Sequence, residues 1–295
     1  MKYRTLAKLF HSSELKKVVS GNVGIINEVT EIFPELSGTM SMADFYNLAY
    51  SLLLKNYRNE YVVKNEIANK ILLGRHSMNT TSMMSELRTG QNIADCLVVN
   101  GYSTCYEIKT EFDSLVRFQD QLNSYLKAYD KTYVVTHKSH LEHVRNIYEM
   151  IPKFGILELT KRNQLKTILE APVSEDFDFD ITFDTLRKPE YTFIAEQVRG
   201  EIPDMPNTKV YAYCKQAYLS LSEQEANFLF KASLKKFRRN DHVFINSLPK
   251  SLKNIGISYQ FNRNEKDSLL FSLMHNKSIG LGDENVLPVY ERQAS

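Results

Sequence analysis

The sequence predicts an α/β protein: a mixed sheet core flanked by helices, with a mostly helical C-terminal domain. Three observations carry this prediction. Residues 93–99 (Ile-Ala-Asp-Cys-Leu-Val-Val) and 103–110 (Ser-Thr-Cys-Tyr-Glu-Ile-Lys-Thr) are strand-like runs joined by Asn100-Gly101, a tight-turn signal. A helical pattern over 114–129 separates them from a further strand-like run at 132–136. On both sides of this block, apolar residues recur at spacings of three and four, the period of a helix face.

The elements follow in order. Leu6, Leu9 and Phe10 mark a first helical face, and Phe45, Leu48, Ala49, Leu52 and Leu53 a second, with Ser41 and Asp44 placed to cap its start. A helix from Glu60 to Leu73 stops at Gly74. Residues 83–89, 93–99 and 103–110 supply three strands, 114–129 a helix and 132–136 a strand. A helix through 140–150 and a strand at 155–159 follow. Between Glu170 and Glu190 seven acidic residues oppose only Arg187 and Lys188, with Pro172 and Pro189, which reads as a linker or solvated surface. Residues 209–275 read as largely helical. The expected organisation is therefore a helical segment at 1–59, the α/β core at 60–160, an acidic linker or extension at 161–208 and a basic, mostly helical domain at 209–295.

Composition bounds the function classes. With 295 residues, 43% apolar and 24% charged, the chain is long enough for a full core and too balanced for a rod or a disordered chain. A net charge of +2 rules out a uniformly basic nucleic-acid binder, so any such face must come from local clustering. Three cysteines, Cys96, Cys105 and Cys214, do not make a disulfide framework. No run approaches the roughly 20 apolar residues of a membrane span, and the N-terminus lacks a signal-peptide core. The expectation is a reduced, cytoplasmic protein without a membrane partner.

The chemistry concentrates on Asp95, Glu107 and Lys109. Alternation along a strand puts Glu107 and Lys109 on one face and Ile108 on the other. Pairing across the Asn100-Gly101 turn brings Asp95 near Glu107 at one end of the hairpin. Two carboxylates and an amine then converge in an apolar sheet. Oxygen ligands of this kind suit Mg²⁺ or Mn²⁺, and a lysine beside them can hold a water and stabilise charge on a phosphate. The plain structural alternative is a cross-strand ion pair of Asp95 with Lys109 and a solvated Glu107.

This arrangement, Asp95 followed by Glu107-Ile108-Lys109, resembles the PD-(D/E)XK nuclease superfamily with its restriction-endonuclease-like fold, over about a quarter to a third of the chain. Gln121 and Tyr125, one helical turn apart, resemble the Gln-x-x-x-Tyr motif of the branch that includes RecB-type nucleases. The resemblance implies Asp95 and Glu107 as metal ligands, the Ile108 carbonyl as a third, Lys109 as the residue that positions the attacking water, and Gln121 and Tyr125 as residues that orient the site. It implies Glu66 as an auxiliary metal ligand. It departs from the family at Ala94, where many relatives have proline, and no four-cysteine iron–sulfur pattern is present.

The implied function is Mg²⁺- or Mn²⁺-dependent hydrolysis of DNA in a defence, mobile-element or repair setting. Alternatives are a nucleic-acid-binding protein that keeps the fold without the chemistry, and a protein-interaction or inhibitor module. A protein partner or a homo-oligomer is compatible with each. Between 209 and 266 eleven basic residues face four acidic ones, interleaved with Phe237, Phe244, Tyr259 and Phe261. Lys235, Lys236, Arg238 and Arg239 are the expected nucleic-acid contacts there. His137, His140 and His143 have a spacing that could suit zinc but read as a solvated strand-to-helix turn, and Cys105 reads as a buried filler. Gly280-Leu281-Gly282 is too short for a nucleotide loop.

Overall fold

The structure, a computed structural model, describes residues 2–77 and 79–280, so Gly280-Leu281-Gly282 and the end of the 209–295 segment lie partly outside the described residues. It divides into two compact units, 1–69 with 241–295, and 70–240. The expected helical segment at 1–59 thus shares a unit with the last part of the chain, and the basic 209–295 segment is split between the two units.

The first unit is helical. Helices α1 (Lys2–Lys8), α2 (Ser12–Val19), α3 (Gly24–Ile32), α4 (Met42–Asn56) and α5 (Glu60–Ile67) come from the N-terminal part. The C-terminal part adds α13 (His242–Ser247), α14 (Lys253–Ser258) and α15 (Arg263–Met274). A two-stranded antiparallel sheet, β1 (Gly38–Ser41) with β8 (Asn276–Ile279), joins the two parts. The Ser41 side chain accepts from Asp44 N–H at 3.1 Å and caps α4, as expected. Leu6, Leu9, Phe10, Phe45 and Leu53 pack with Leu252, Ile255, Leu269 and Leu273 in one core. Burial of these side chains favours the unit by about 1.5–3 kcal/mol each before chain entropy is counted.

The second unit is the α/β core. Helix α6 (Leu73–Arg75) precedes β2 (Ser82–Thr89), β3 (Asn92–Asn100), β4 (Tyr102–Lys109), α7 (Phe118–Leu126), β5 (Lys131–Thr136), α8 (Leu141–Met150), β6 (Gly155–Leu159) and β7 (Leu165–Leu169). The six strands lie in sequence order in one mixed sheet: β4, β5 and β6 are parallel and the other neighbours antiparallel. Antiparallel neighbours need only a turn, whereas each parallel pair needs a crossover, and α7 and α8 supply these. Gly101, with φ +71°, turns β3 into β4. A larger side chain there would be strained by its left-handed backbone.

Residues 161–208 are folded rather than a linker. They contain β7, α9 (Phe179–Thr185) and α10 (Lys188–Arg199). Phe183, Ile194 and Ala195 from this stretch are fully buried. With α11 (Asn207–Leu219) and α12 (Glu223–Phe237), they share a core with Leu97, Val99 and Cys105 of the sheet and Tyr125 of α7. Only the linker alternative differs from the structure, since Glu175, Asp176, Asp180 and Asp184 are exposed as a solvated surface requires; Phe177, Phe179, Ile181 and Phe183 lie among these acids, so the acid count hid an apolar face. Helix α7 is also shorter than predicted, which leaves 110–117 as a loop.

Candidate functional site

The β3–β4 ladder runs from the turn to the pair Cys96–Tyr106 and stops. The next residues across are Asp95 and Glu107. On the other side, β2 pairs Ser85 with Cys96 and Leu87 with Ala94, and the positions between them, Glu86 and Asp95, are skipped. Glu86 sits at φ +55°, a conformation rare for a residue with a Cβ. Asp95 therefore stands at a break in pairing toward both neighbours. Its carboxylate fills the gap on the β4 side, where Oδ2 accepts the backbone N–H of Ile108 at 2.7 Å.

Glu107 is 1% exposed and Lys109 7% exposed, both on the sheet face that α7 covers. Lys109 Nζ donates to Glu107 Oε1 at 2.8 Å and to Gln121 Oε1 of α7 at 2.8 Å. It also lies 5.5 Å from the centre of the Phe118 ring. The simple cross-strand alternative is thus not what the structure holds: Lys109 pairs with Glu107 along its own strand, and Glu107 is buried. Tyr125, fully buried one turn after Gln121, donates its hydroxyl to the Ile93 carbonyl at 2.7 Å. It thereby holds β3 two residues before Asp95.

Burial pushes the Glu107 carboxyl above its ordinary value, and the neighbouring Lys109 charge opposes this shift. Glu107 Oε2 is buried and makes no hydrogen bond of normal geometry, with the Tyr125 hydroxyl and the Asp95 carboxyl close enough to the Glu107 carboxyl to oppose the upward shift as well. A buried carboxylate oxygen without a partner is costly unless a cation or a proton meets it. Among the described residues no group of three or more His, Cys, Asp or Glu side chains is arranged to hold a metal. The chain's side-chain contribution at this site is two carboxylates. That fits Mg²⁺, which takes one or two carboxylates and leaves its other positions to water and substrate phosphate.

The remaining expected residues are distributed as follows. Glu66 is buried in the helical unit, where it accepts the Tyr50 hydroxyl at 2.8 Å. Arg238 leaves the set of expected nucleic-acid contacts. Its side chain is 7% exposed, and it donates to both carboxylate oxygens of the buried Glu190 and to the Thr185 carbonyl. The buried acid called for a planar two-pronged partner, which arginine provides. Lys236 and Arg239 are exposed and Lys235 half-buried, and Lys236 Nζ lies 4.1 Å from the centre of the Phe193 ring. His137 accepts the Ser139 N–H through Nδ1 and caps the turn after β5. Cys105 is a buried core residue whose thiol burial pushes up, which keeps it protonated.

Two features escaped the sequence reading. The left-handed Glu86 has no signal in a single sequence. The second is the exposure of Phe112 and Val116 on the loop between β4 and α7, which the overlong helix prediction obscured. No described helix is long and apolar enough to cross a membrane.

Comparison with known proteins gives one family. Residues 54–258 match the family described as Bacteriophage P4 protein cII, a span that contains the whole α/β unit. No curated protein and no solved structure matches the chain. The matched region covers well over half of the sequence, and the chain belongs to the bacteriophage P4 protein cII family.

Proposed function

We propose that this chain is a metal-dependent nuclease of the PD-(D/E)XK type that hydrolyses DNA phosphodiester bonds. The single observation that carries the reading is the buried, unpartnered Oε2 of Glu107, across a broken strand pairing from Asp95 and beside Lys109. Asp95 and Glu107 would hold Mg²⁺ or Mn²⁺. When bound, the ion supplies a Lewis acid that activates water and neutralises phosphate charge. Gln121 and Glu107 fix the Lys109 ammonium. Lys109 then orients a water by hydrogen bonding and stabilises negative charge that develops on the phosphate. Tyr125 keeps the end of β3, and so Asp95, in place through the Ile93 carbonyl. The family resemblance implies a 5′-phosphate product.

The test is cleavage of linear duplex, circular duplex, single-stranded DNA and RNA by the full chain, with Mg²⁺, Mn²⁺ or EDTA. Metal-dependent cutting by the wild type, lost in Asp95→Ala and Lys109→Ala, supports the reading. Absence of cutting on every substrate, or equal cutting by the variants, overturns it.

A further inference from the structure

Toward its tip the β2–β3 hairpin turns away from β4. Asn92, Ile93 and Ala94 keep their β2 partners Thr89, Arg88 and Leu87, but the β3–β4 ladder holds no pair before Cys96. Continued register would set Asp95 against Glu107 and Ala94 against Ile108, with the Ala94 carbonyl taking the Ile108 N–H. That N–H goes instead to Asp95 Oδ2 at 2.7 Å. A wedge therefore opens between β3 and β4, and the Asp95 side chain stands in it beside Glu107.

The hairpin tip is docked on α7 instead. Asn92 Nδ2 donates to the Asp120 carbonyl at 3.2 Å and to Ser124 Oγ at 2.9 Å. The Tyr125 hydroxyl donates to the Ile93 carbonyl. The same helix carries Gln121, which holds Lys109. One helix thus fixes both walls of the wedge. Because β3 bends at Asp95 while it stays paired to β2, β2 must bend with it at the residue opposite, which register makes Glu86. Glu86 is where β2 leaves the extended conformation, at φ +55°. A residue with a Cβ adopts this region at a cost, and residues held there gather at functional sites. The Glu86 side chain is exposed, so burial of that side chain does not account for the conformation.

We propose that Glu86 is a positioning residue for the metal site: its left-handed backbone sets the kink that splays the hairpin tip onto α7 and so places the Asp95 carboxylate in the wedge. The role belongs to the backbone, and it rests on the reading of Asp95 as a metal ligand. Extended backbone at Glu86 would restore its pairing with Asp95, straighten β3 and return the Ile108 N–H to the Ala94 carbonyl. The Asp95 side chain would then stand off the sheet face instead of in the wedge, which shifts its oxygens relative to Glu107.

The test replaces Glu86 in the full chain by residues that differ in their tolerance of positive φ. Glycine adopts it freely, asparagine readily and valine hardly at all. Glu86→Gly and Glu86→Asn are expected to keep metal-dependent cleavage and Mn²⁺ binding. Glu86→Val should lose about a hundred-fold in kcat, with KM changed far less. A readout free of metal and substrate accompanies these. Asp95→Ala should lower the urea midpoint of the wild type and of Glu86→Gly, where the carboxylate serves Ile108, and leave that of Glu86→Val unchanged. Glu86→Ala, intermediate in its tolerance, takes the place of Glu86→Val if that variant does not fold. A Glu86→Gly as impaired as Glu86→Val, a fully active Glu86→Val, or an Asp95→Ala effect that survives in Glu86→Val overturns the proposal. Metal-dependent cutting that Glu86→Val leaves intact defeats the role of Glu86 and spares the nuclease. A wild type that cuts nothing and binds no Mn²⁺ defeats the nuclease, and the urea midpoints then decide whether Glu86 places Asp95.

Discussion

The Asp95 carboxylate accepts the Ile108 backbone N–H at 2.7 Å, at the point where β3 and β4 cease to pair. A side chain thus does there what a strand carbonyl does elsewhere in the sheet. Aspartate is a poor strand former, and this bond gives it a structural role in addition to the proposed ligand role. The two roles separate by substitution. Asp95→Ala leaves the Ile108 N–H without its acceptor and should cost about 1–3 kcal/mol. Asp95→Asn keeps an acceptor and should retain most of that stability, while cleavage and Mn²⁺ binding are lost in both. Urea unfolding and calorimetry measure the two effects; an Asn variant as unstable as the Ala variant would contradict the structural half.

Asp130 predicts a pH dependence. Burial raises its carboxyl, but Asn227, Ser103 and Lys231 outweigh burial and hold it below the ordinary 3.8. Its charged form is favoured by folding, so its stabilisation is complete above the unfolded value and is lost as pH falls through the lower folded value. Asp130→Asn should cost about 3 kcal/mol at pH 7, because Lys231 loses a buried partner. It should also flatten the fall in stability below about pH 4. Urea midpoints from pH 7 to 2.5 test this; parallel curves for wild type and variant would count against it.

Glu190 and Arg238 form a buried pair, 1% and 7% exposed at their side chains. Removing one partner leaves a buried charge, so Arg238→Ala should cost about 3–5 kcal/mol. Replacing both, as Glu190→Leu with Arg238→Met, should recover most of that loss. Exposed Lys236→Ala should change stability by less than about 0.5 kcal/mol. Thermal denaturation of the variants decides. A mild Arg238→Ala would return that residue to the surface set.

Gly155 should tolerate no side chain. A Cβ there would meet the Tyr133 ring and lie 2.6 Å from the Ala171 backbone N. Tyr133 cannot easily yield, since it stacks on Tyr106 at 5.7 Å and donates to Glu170 at 2.5 Å. Gly155→Ala is expected to destabilise by about 1–3 kcal/mol. An unchanged melting temperature would mean that β5 and β6 lie farther apart than the register implies.

Much of the core and of the candidate site was legible. The hairpin about Gly101, the strand that carries Glu107 and Lys109, and the crossover helix with Gln121 each rest on local signals: a turn dipeptide, an alternation, a helical period. The placement of Asp95 opposite Glu107 followed from counting residues back from the turn. The β6–β7 pairing and the buried role of Phe183 did not follow, because they depend on partners distant in sequence.

The sequence by itself determined the α/β class, the succession of strands and helices along the chain up to β6, and that Glu107 and Lys109 share a strand face. Those are consequences of periods of two and 3.6 residues, which neighbours along the chain impose. Tertiary structure alone decided that Lys109 bonds Glu107 and Gln121 together, that Arg238 is buried with Glu190, and that the acidic stretch is folded. It also decided that Glu107 Oε2 is enclosed without a hydrogen bond of normal geometry. Whether a charge meets water or a partner depends on what packs over it, and that is set by segments far apart in the sequence.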